Sequence, residues 1–432
     1  MLRNLRRLCC VTLVITAGMI GQLTLATPAQ ARDAAGMADP GVIMEWSAIA
    51  NRTVFIENAN PIPSSSLYFS FVSIAMFDAV VAIDGGYQSY SYHGRAPAHA
   101  SAEVAAATAA HRILKNYFPS SRVNLDADYT AFLKTRPPGA GTNGGRRVGE
   151  ASAAKIIRQR LDDGRNGPQT LNVVPAPGVY RPTPPAFLPM LVPWLAFTKP
   201  LVLRSSKQIP LAGPASLTSA TYTRDYRETK AYGALEGSAR TPGQTATALF
   251  WNANSVLQYR VALADRLTRH PVDLVQAARA FALLDTGTAD SAITCWRSKF
   301  DYATWRPITA INLAGTDGNR ATVPDRTWQP LAITPPYPEY ASGHACITGA
   351  ATNTYSYLFG SRHIDIRIYS SVTDTTRHYA DTAKLDVETK NARIWLGLHF
   401  RTGMNAGNDI GHKASQWTIT HAFQPTCSNR ES

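Results

Sequence analysis

Eleven prolines fall between Gly164 and Pro214, and a regular helix cannot run through that many missing amide donors. At its centre the stretch reads YRPTPPAFLPMLVPWLAF. This is too apolar for a solvated linker and implies an ordered loop that wraps the surface or walls a pocket. The chain is thereby divided into a half at about 40–164, the loop at 165–214 and a second half at about 215–425. No short period repeats at a fixed spacing, although two halves of similar character around one loop are consistent with a duplicated bundle.

Both halves carry helical periodicity. Apolar residues at three-to-four spacing predict helices over 43–59, 66–83, 101–118, 146–161, 244–268 and 271–300. The 146–161 pattern runs to Gly164 as a glycine stop, and Pro271 suits a first helical turn. Strand-like alternation is scarce, so the expected fold class is all-α.

With 45% hydrophobic residues over 432 positions the chain can bury a large core and is too apolar for a disordered polymer. Lys and Arg exceed Asp and Glu by 13, a surplus that suits anionic ligands, anionic surfaces or acidic partners. Arg3, Arg6 and Arg7 precede an apolar run from Leu8 to about Leu25, and Ala29-Gln30-Ala31 has the form of a small-residue cleavage site. Residues 1–31 therefore read as a signal peptide, and the protein as secreted, periplasmic or extracellular, with +10 of the charge left after cleavage. Leu5 ahead of the arginine pair argues for the general secretory route over the twin-arginine one. The run is short for a permanent anchor, and no later stretch reaches about eighteen uninterrupted apolar residues, so no stable membrane anchor is expected.

Cys295, Cys346 and Cys427 remain beyond the signal. They allow at most one internal disulfide and leave a free, buried thiol; no Cys-x-x-Cys pair exists. The ten histidines contain no His-x-x-x-His or His-Glu-x-x-His arrangement for a zinc hydrolase. The positive charge is spread without a basic tract, so nucleic acid is not an expected partner.

The chemistry concentrates in three segments of the C-terminal third. Lys299 and Arg306 are seven apart, which on one unbroken helix separates them by about twenty degrees. Two cations facing one point suit an oxyanion. In PPYPEYASGHACITGAATNTYSYL a proline-rich stretch gives way at Ser342-Gly343-His344 to a helical pattern. Free amides at a helix start, the open backbone of Gly343 and the Ser342 hydroxyl make an anion cradle there, with His344 placed for proton transfer. In NARIWLGLHFRTG, Arg393 and His399 are six apart, about 120° on an unbroken helix. Either the helix ends near Gly397 or the arginine bends back, and His399 then faces the same anion as nucleophile or ligand. Each segment alone is more often structural: a solvated basic face, a serine cap, a packed histidine.

Taken together and in order, Lys-x6-Arg-Pro, Ser-Gly-His and Arg-x5-His resemble the three-part signature of the type-2 phosphatidic acid phosphatase and vanadium-dependent haloperoxidase superfamily. Tyr302-Ala303-Thr304-Trp305-Arg306-Pro307, Tyr337-Pro338-Glu339-Tyr340 and Gly397-Leu398-His399-Phe400-Arg401 resemble its secreted bacterial haloperoxidase-like branch. Weaker echoes in IMEWSAIANRTV, SIAMFDAVVAI and YRPTPPAFLP extend the likeness over most of the chain.

The resemblance implies an all-α helical-bundle architecture forming one domain over 32–432, with a site for vanadate in the haloperoxidases and for phosphate in the phosphatases. Lys299, Arg306, Ser342, Gly343 and Arg393 would hold equatorial oxygens. His399 would be the axial ligand to vanadium or the nucleophile that takes a phosphoryl group, and His344 the acid–base residue. Trp296 and Tyr337 stand where fungal chloroperoxidases line the halide pocket with aromatic residues. The implied activity is vanadate-dependent oxidation of halide by hydrogen peroxide. The alternatives are hydrolysis of phosphate esters through a phospho-histidine, and anion binding by a degenerate, non-catalytic relative.

Two positions depart from the superfamily pattern. Ala341 replaces the proline before Ser-Gly-His, and Gly403 replaces the acidic residue usual four positions after the third-motif histidine. A carboxylate there would fix the tautomer and basicity of His399. Asp409 is the candidate substitute, and Gly403→Asp is expected to raise vanadate affinity if the backbone accepts a side chain. No acidic partner for His344 follows from spacing.

Overall fold

Residues 38–426 are described by a computed structural model, so the signal peptide reading and Cys427 lie outside the described residues. In the first half α1 (Gly41–Asn51) runs into a π-helical turn (Arg52–Glu57), followed by α2 (Ile62–Asp84), α3 (Ala102–Tyr117), α4 (Arg122–Lys134) and α5 (Ala140–Gln159). In the second half come α6 (Ala220–Gly233), α7 (Pro242–Phe250), α8 (Ser255–Arg269), α9 (Leu274–Tyr302), α10 (Pro307–Asn312) and α11 (Gly343–Phe359). A hairpin of β1 (Ile366–Ser370) and β2 (Thr375–Tyr379), α12 (Thr382–Trp395) and α13 (Arg401–His421) complete it. The all-α expectation holds, with one two-stranded sheet among the described residues.

The helices assemble as two bundles joined through α2 and α9. By length and composition α2 could cross a bilayer, yet every residue from Pro63 to Val81 except Tyr68 is buried, and α3, α5 and α9 pack around it. Two helix pairs meet backbone to backbone. A Cβ on Gly145 or Gly149 of α5 would stand 2.4 Å from the carbonyl oxygen of Ser101 or Ala105 at α3. On α13, Gly407 and Gly411 lie equally close to α11, where a Cβ would meet Ser342 O at 2.4 Å or Cys346 O at 2.3 Å. Only hydrogen fits at these contacts, and that sets how near the helices lie.

Several boundaries differ from the periodicity reading for local reasons. The 244–268 pattern is two helices, because a capping box at Thr241 opens α7 and the Asn254 side chain accepts Leu257 N–H to open α8. Pro271 precedes its helix: Asp273 caps α9, accepting Gln276 N–H at 2.7 Å. The 146–161 helix begins at Ala140 and ends at Gln159, and Gly164, at φ +92°, turns the chain later against the Phe197 carbonyl. The hairpin escaped the periodicity reading although Ile366–Ser370 alternates buried and exposed residues, since five positions are too few to stand out.

The proline-rich segment is tied to the helices by hydrogen bonds to buried side chains. Asp290 of α9 accepts the amides of Leu201, Val202 and Leu203, and Arg160 donates to the carbonyls of Lys199 and Pro200. Further along, Leu191 bonds Pro336 through its amide and receives the Trp296 indole N–H on its carbonyl at 3.1 Å. The loop therefore touches the segment that carries the second motif.

Where the halves meet, Arg260 of α8 is fully buried and donates to Asn51, Ser47 and Asp285, its guanidinium 3.9 Å from the centre of the Phe69 ring. Ser73 of α2 donates to the same Asp285 carboxylate. One buried ion pair thus ties α1, α2, α8 and α9.

Cys295 of α9 and Cys346 of α11 form a disulfide 51 residues apart in sequence. It joins the helix that carries Lys299 to the one that carries His344. A loop of that length contributes about 4 kcal/mol by chain entropy. Cys295→Ala combined with Cys346→Ala should accordingly lower the apparent melting temperature by several degrees; scanning calorimetry of the double variant showing no drop would contradict this.

Candidate functional site

Lys299 and Arg306 meet, but not as two residues on one face of a helix. α9 stops at Tyr302 with Ala303 in the left-handed region, and Arg306 caps α10 ahead of Pro307. They converge because both reach into residues 335–339. Lys299 Nζ donates to the carbonyls of Pro338 (2.7 Å) and Glu339 (3.1 Å). Arg306 donates to those of Tyr337 (2.6 Å), Pro335 (3.3 Å) and Leu398 (2.9 Å). Both side chains are completely buried, and burial, reinforced by mutual repulsion, pushes the Lys299 ammonium well below its ordinary pKa.

Ser342 caps α11 as expected, its hydroxyl facing Ala345 N–H at 3.5 Å and its own amide donating to Gly403 O. Gly343 lies against Trp296, where a Cβ would stand 3.2 Å from the indole. His344 bonds the Ala253 carbonyl through Nε2 at 3.2 Å. A backbone carbonyl therefore serves where spacing offered no acid. His344 is depressed well below its ordinary value by desolvation and then by Arg393.

Arg393 and His399 are brought together by the way α12 ends. Gly397, at φ +76°, sits at the left-handed position of a Schellman turn, with Gly397 N–H bonded to Ile394 O and Leu398 N–H to Arg393 O. The chain reverses within six residues, which is the first of the two options read from spacing. Buried Arg393 donates through Nη1 to Trp251 O (3.1 Å) and faces Asn252 Oδ1 (3.4 Å). Its Nε is buried with no hydrogen-bond partner among the described residues. Burial pushes the guanidinium down to about 10.

His399 is 1% exposed. Its Nε2 receives Arg306 Nη1 at 3.2 Å and its Nδ1 faces Glu339 Oε1 at 3.0 Å. Phe400 N–H donates to the same oxygen at 3.1 Å. Arg306 can only donate, so Nε2 carries the lone pair and Nδ1 the proton that Glu339 accepts. Desolvation first, then Arg306, Lys299, Arg393 and His344, hold the imidazole well below its ordinary pKa and keep it neutral. Burial raises the Glu339 carboxyl to about 7 against the pull of Lys299 and Arg306.

Asp409 does not stand in for an acid at 403: it is half exposed and pairs with Lys413 one turn on. The carboxylate comes from Glu339, which sequence spacing did not single out. Gly403 has no positive φ, but a Cβ there would fall 2.1 Å from Glu339 Oε1. The expectation that Gly403→Asp improves the site is corrected on that ground, since the space is filled.

The Trp296 and Tyr337 rings are 5.0 Å apart, with Lys299 Nζ 5.0 Å and Arg306 Cζ 4.8 Å from the Tyr337 centre. Trp251, Asn252, Ala253 and Glu339 are the contacts that sequence reasoning missed, and the first three carried no signal beyond a helix cap at Asn254.

Three buried basic side chains, a helix start and a guanidinium N–H with no partner among the described residues fit a multiply charged oxyanion. The donors are all nitrogen and hydroxyl groups, the set that a vanadate or phosphate oxygen shell takes.

Among known proteins, the model of the VCPO second helical-bundle domain matches residues 279–426, which contain all three motifs. The vanadium chloroperoxidase of Curvularia inaequalis is 25% identical over 347 residues. The match takes in 60% of this chain and 56% of that protein, so the chain spans little more than half of its relative. Among solved structures, the first bacterial vanadium-dependent iodoperoxidase superposes with a TM-score of 0.76 at 20% identity, covering 90% of this chain and 98% of its own. A holo-type bacterial vanadium-dependent chloroperoxidase superposes at 0.66 and 17% identity, covering 83% and 91%.

Proposed function

Since the chain belongs to the vanadium-dependent haloperoxidase-like branch of the type-2 phosphatidic acid phosphatase and haloperoxidase superfamily, we propose that it oxidises halide with hydrogen peroxide at a vanadate site. The observation that carries this reading is the convergence of Lys299, Arg306, Arg393, His344 and His399 beside the Trp296–Tyr337 pair.

Bound vanadate would supply a Lewis-acidic centre that activates peroxide toward a halide nucleophile. Lys299, Arg306 and Arg393 would neutralise the charge on its oxygens, with the Ser342 hydroxyl and the Gly343 amide completing the cradle at the helix start. His399, neutral and with its lone pair on Nε2, would hold the vanadate through its one imidazole. His344, neutral and held through Nε2 by the Ala253 carbonyl, can take and return a proton. Trp296 and Tyr337 would give the halide a weakly hydrated approach while their faces rest on the cations. Export is supported by the basic-apolar start of the chain and by the buried disulfide, which suits an oxidising compartment.

The test is direct. Purified protein with and without orthovanadate is assayed for bromide, chloride and iodide oxidation by peroxide, and for phosphate ester hydrolysis without vanadate. Vanadate-dependent halide oxidation is expected. Ester hydrolysis that vanadate inhibits would move the reading to phosphoryl transfer through His399, and vanadate binding without either turnover would leave an anion-binding protein.

A further inference from the structure

We propose that Glu339 is the positioning residue for His399, and that position 403 is glycine because the Glu339 carboxylate occupies the space its side chain would need. The carboxylate reaches His399 across 60 residues of sequence and is 3% exposed. Oε1 accepts from both the His399 ring and the Phe400 amide, which clamps the ring against its own backbone. A Cβ at 403 would lie 2.1 Å from Oε1 and 2.7 Å from both Cδ and Oε2, inside any real contact distance. The backbone at 403 is ordinary helix, so glycine is not there for its conformational freedom. The two positions exclude each other: a carboxylate beside Nδ1 comes from residue 339 or from residue 403, never from both.

Glu339 also couples the three motif segments. Its amide donates to Thr304 O at 3.0 Å, its carbonyl receives Lys299 Nζ, and its side chain holds His399. Arg306 donating to Nε2 from the other side favours the same tautomer, but the buried Nδ1 proton still needs an acceptor of its own, which Glu339 supplies. The consequence for anion affinity rests on the oxyanion reading above; the consequence for the imidazole does not.

The experiment uses the full chain with ¹⁵N-labelled histidine and four variants: Glu339→Ala, Glu339→Gln, Gly403→Asp and the exchange Glu339→Ala with Gly403→Asp. In the parent, His399 should be protonated on Nδ1. Glu339→Ala should shift the proton toward Nε2. Glu339→Gln, whose amide oxygen can still accept from Nδ1, should keep it, and the exchange variant should restore it. Titrating orthovanadate calorimetrically without peroxide, Glu339→Ala should bind about 10- to 100-fold more weakly. Gly403→Asp alone should also bind more weakly, and the exchange should recover most of the loss. A folded Glu339→Ala protein with an unchanged tautomer overturns the positioning role. A Gly403→Asp protein that binds as tightly as the parent, or an exchange variant no better than Glu339→Ala, overturns the shared-space account. A parent that does not bind orthovanadate overturns the oxyanion reading instead, and the tautomer measurements still decide the role of Glu339.

Discussion

His399→Ala should lose vanadate-dependent or phosphoryl turnover by at least about 10³-fold, because a group acting as ligand or nucleophile is not replaced by its neighbours. The imidazole turns its Nε2 lone pair toward the converging cations, with Arg306 Nη1 3.2 Å away. Arg393→Ala differs in kind. It removes one of three cations and should weaken anion affinity while leaving measurable turnover. Since His399 is buried and its loss strips Glu339 of a partner, His399→Gln, which retains an amide donor, serves as a second variant. Steady-state assays with circular dichroism on both proteins check the expectation, and parental activity in either folded variant would remove His399 from its assigned role.

The second large effect concerns the fold. Asp285→Ala should destabilise the protein by about 3–5 kcal/mol, because it leaves the Arg260 guanidinium charged and without its counter-ion where both side chains are only 1% exposed. Asn51 and Ser47 satisfy donors of Arg260 but carry no charge. The same mutation at Asp409, half exposed beside Lys413, should cost less than about 1 kcal/mol. Replacing both partners by apolar residues of similar size, as in Arg260→Met with Asp285→Leu, should recover much of the loss. Urea unfolding of the three proteins tests this, and a stable Asp285→Ala protein would show that Arg260 is hydrated in solution.

The site's ingredients were legible because each motif carries its own local cause. Ser342 before Gly343 reads as a helix cap, and it is one. Gly397 between Arg393 and His399 reads as a helix stop, and the Schellman turn puts it there. What could not be read depended on distance through space. Spacing joins Lys299 and Arg306 only on an unbroken helix, whereas Ala303 ends it and residues 335–339 bring them together. Asp409 is near His399 in sequence but pairs with Lys413; Glu339 is 60 residues away and in contact. The gap left by the missing acid at 403 was visible, but not that another side chain fills it. In the fold, the break inside the 244–268 helix pattern is hidden by apolar residues on both sides of the cap at Asn254, while the proline-rich loop announces itself by composition.

The backbone contact between α11 and α13 limits how such a site can be altered. With Gly407 and Gly411 lying on the carbonyls of Ser342 and Cys346, neither helix can slide or rotate without lifting a glycine over a carbonyl oxygen, and any added methyl group would wedge the pair apart. The spacing between the segments that bear His344 and His399 is therefore a constant of the scaffold. Adaptation to a larger, smaller or differently charged guest has to proceed by trading side chains between facing positions at fixed total volume, so the accessible variants of this centre are pairwise exchanges and seldom single steps.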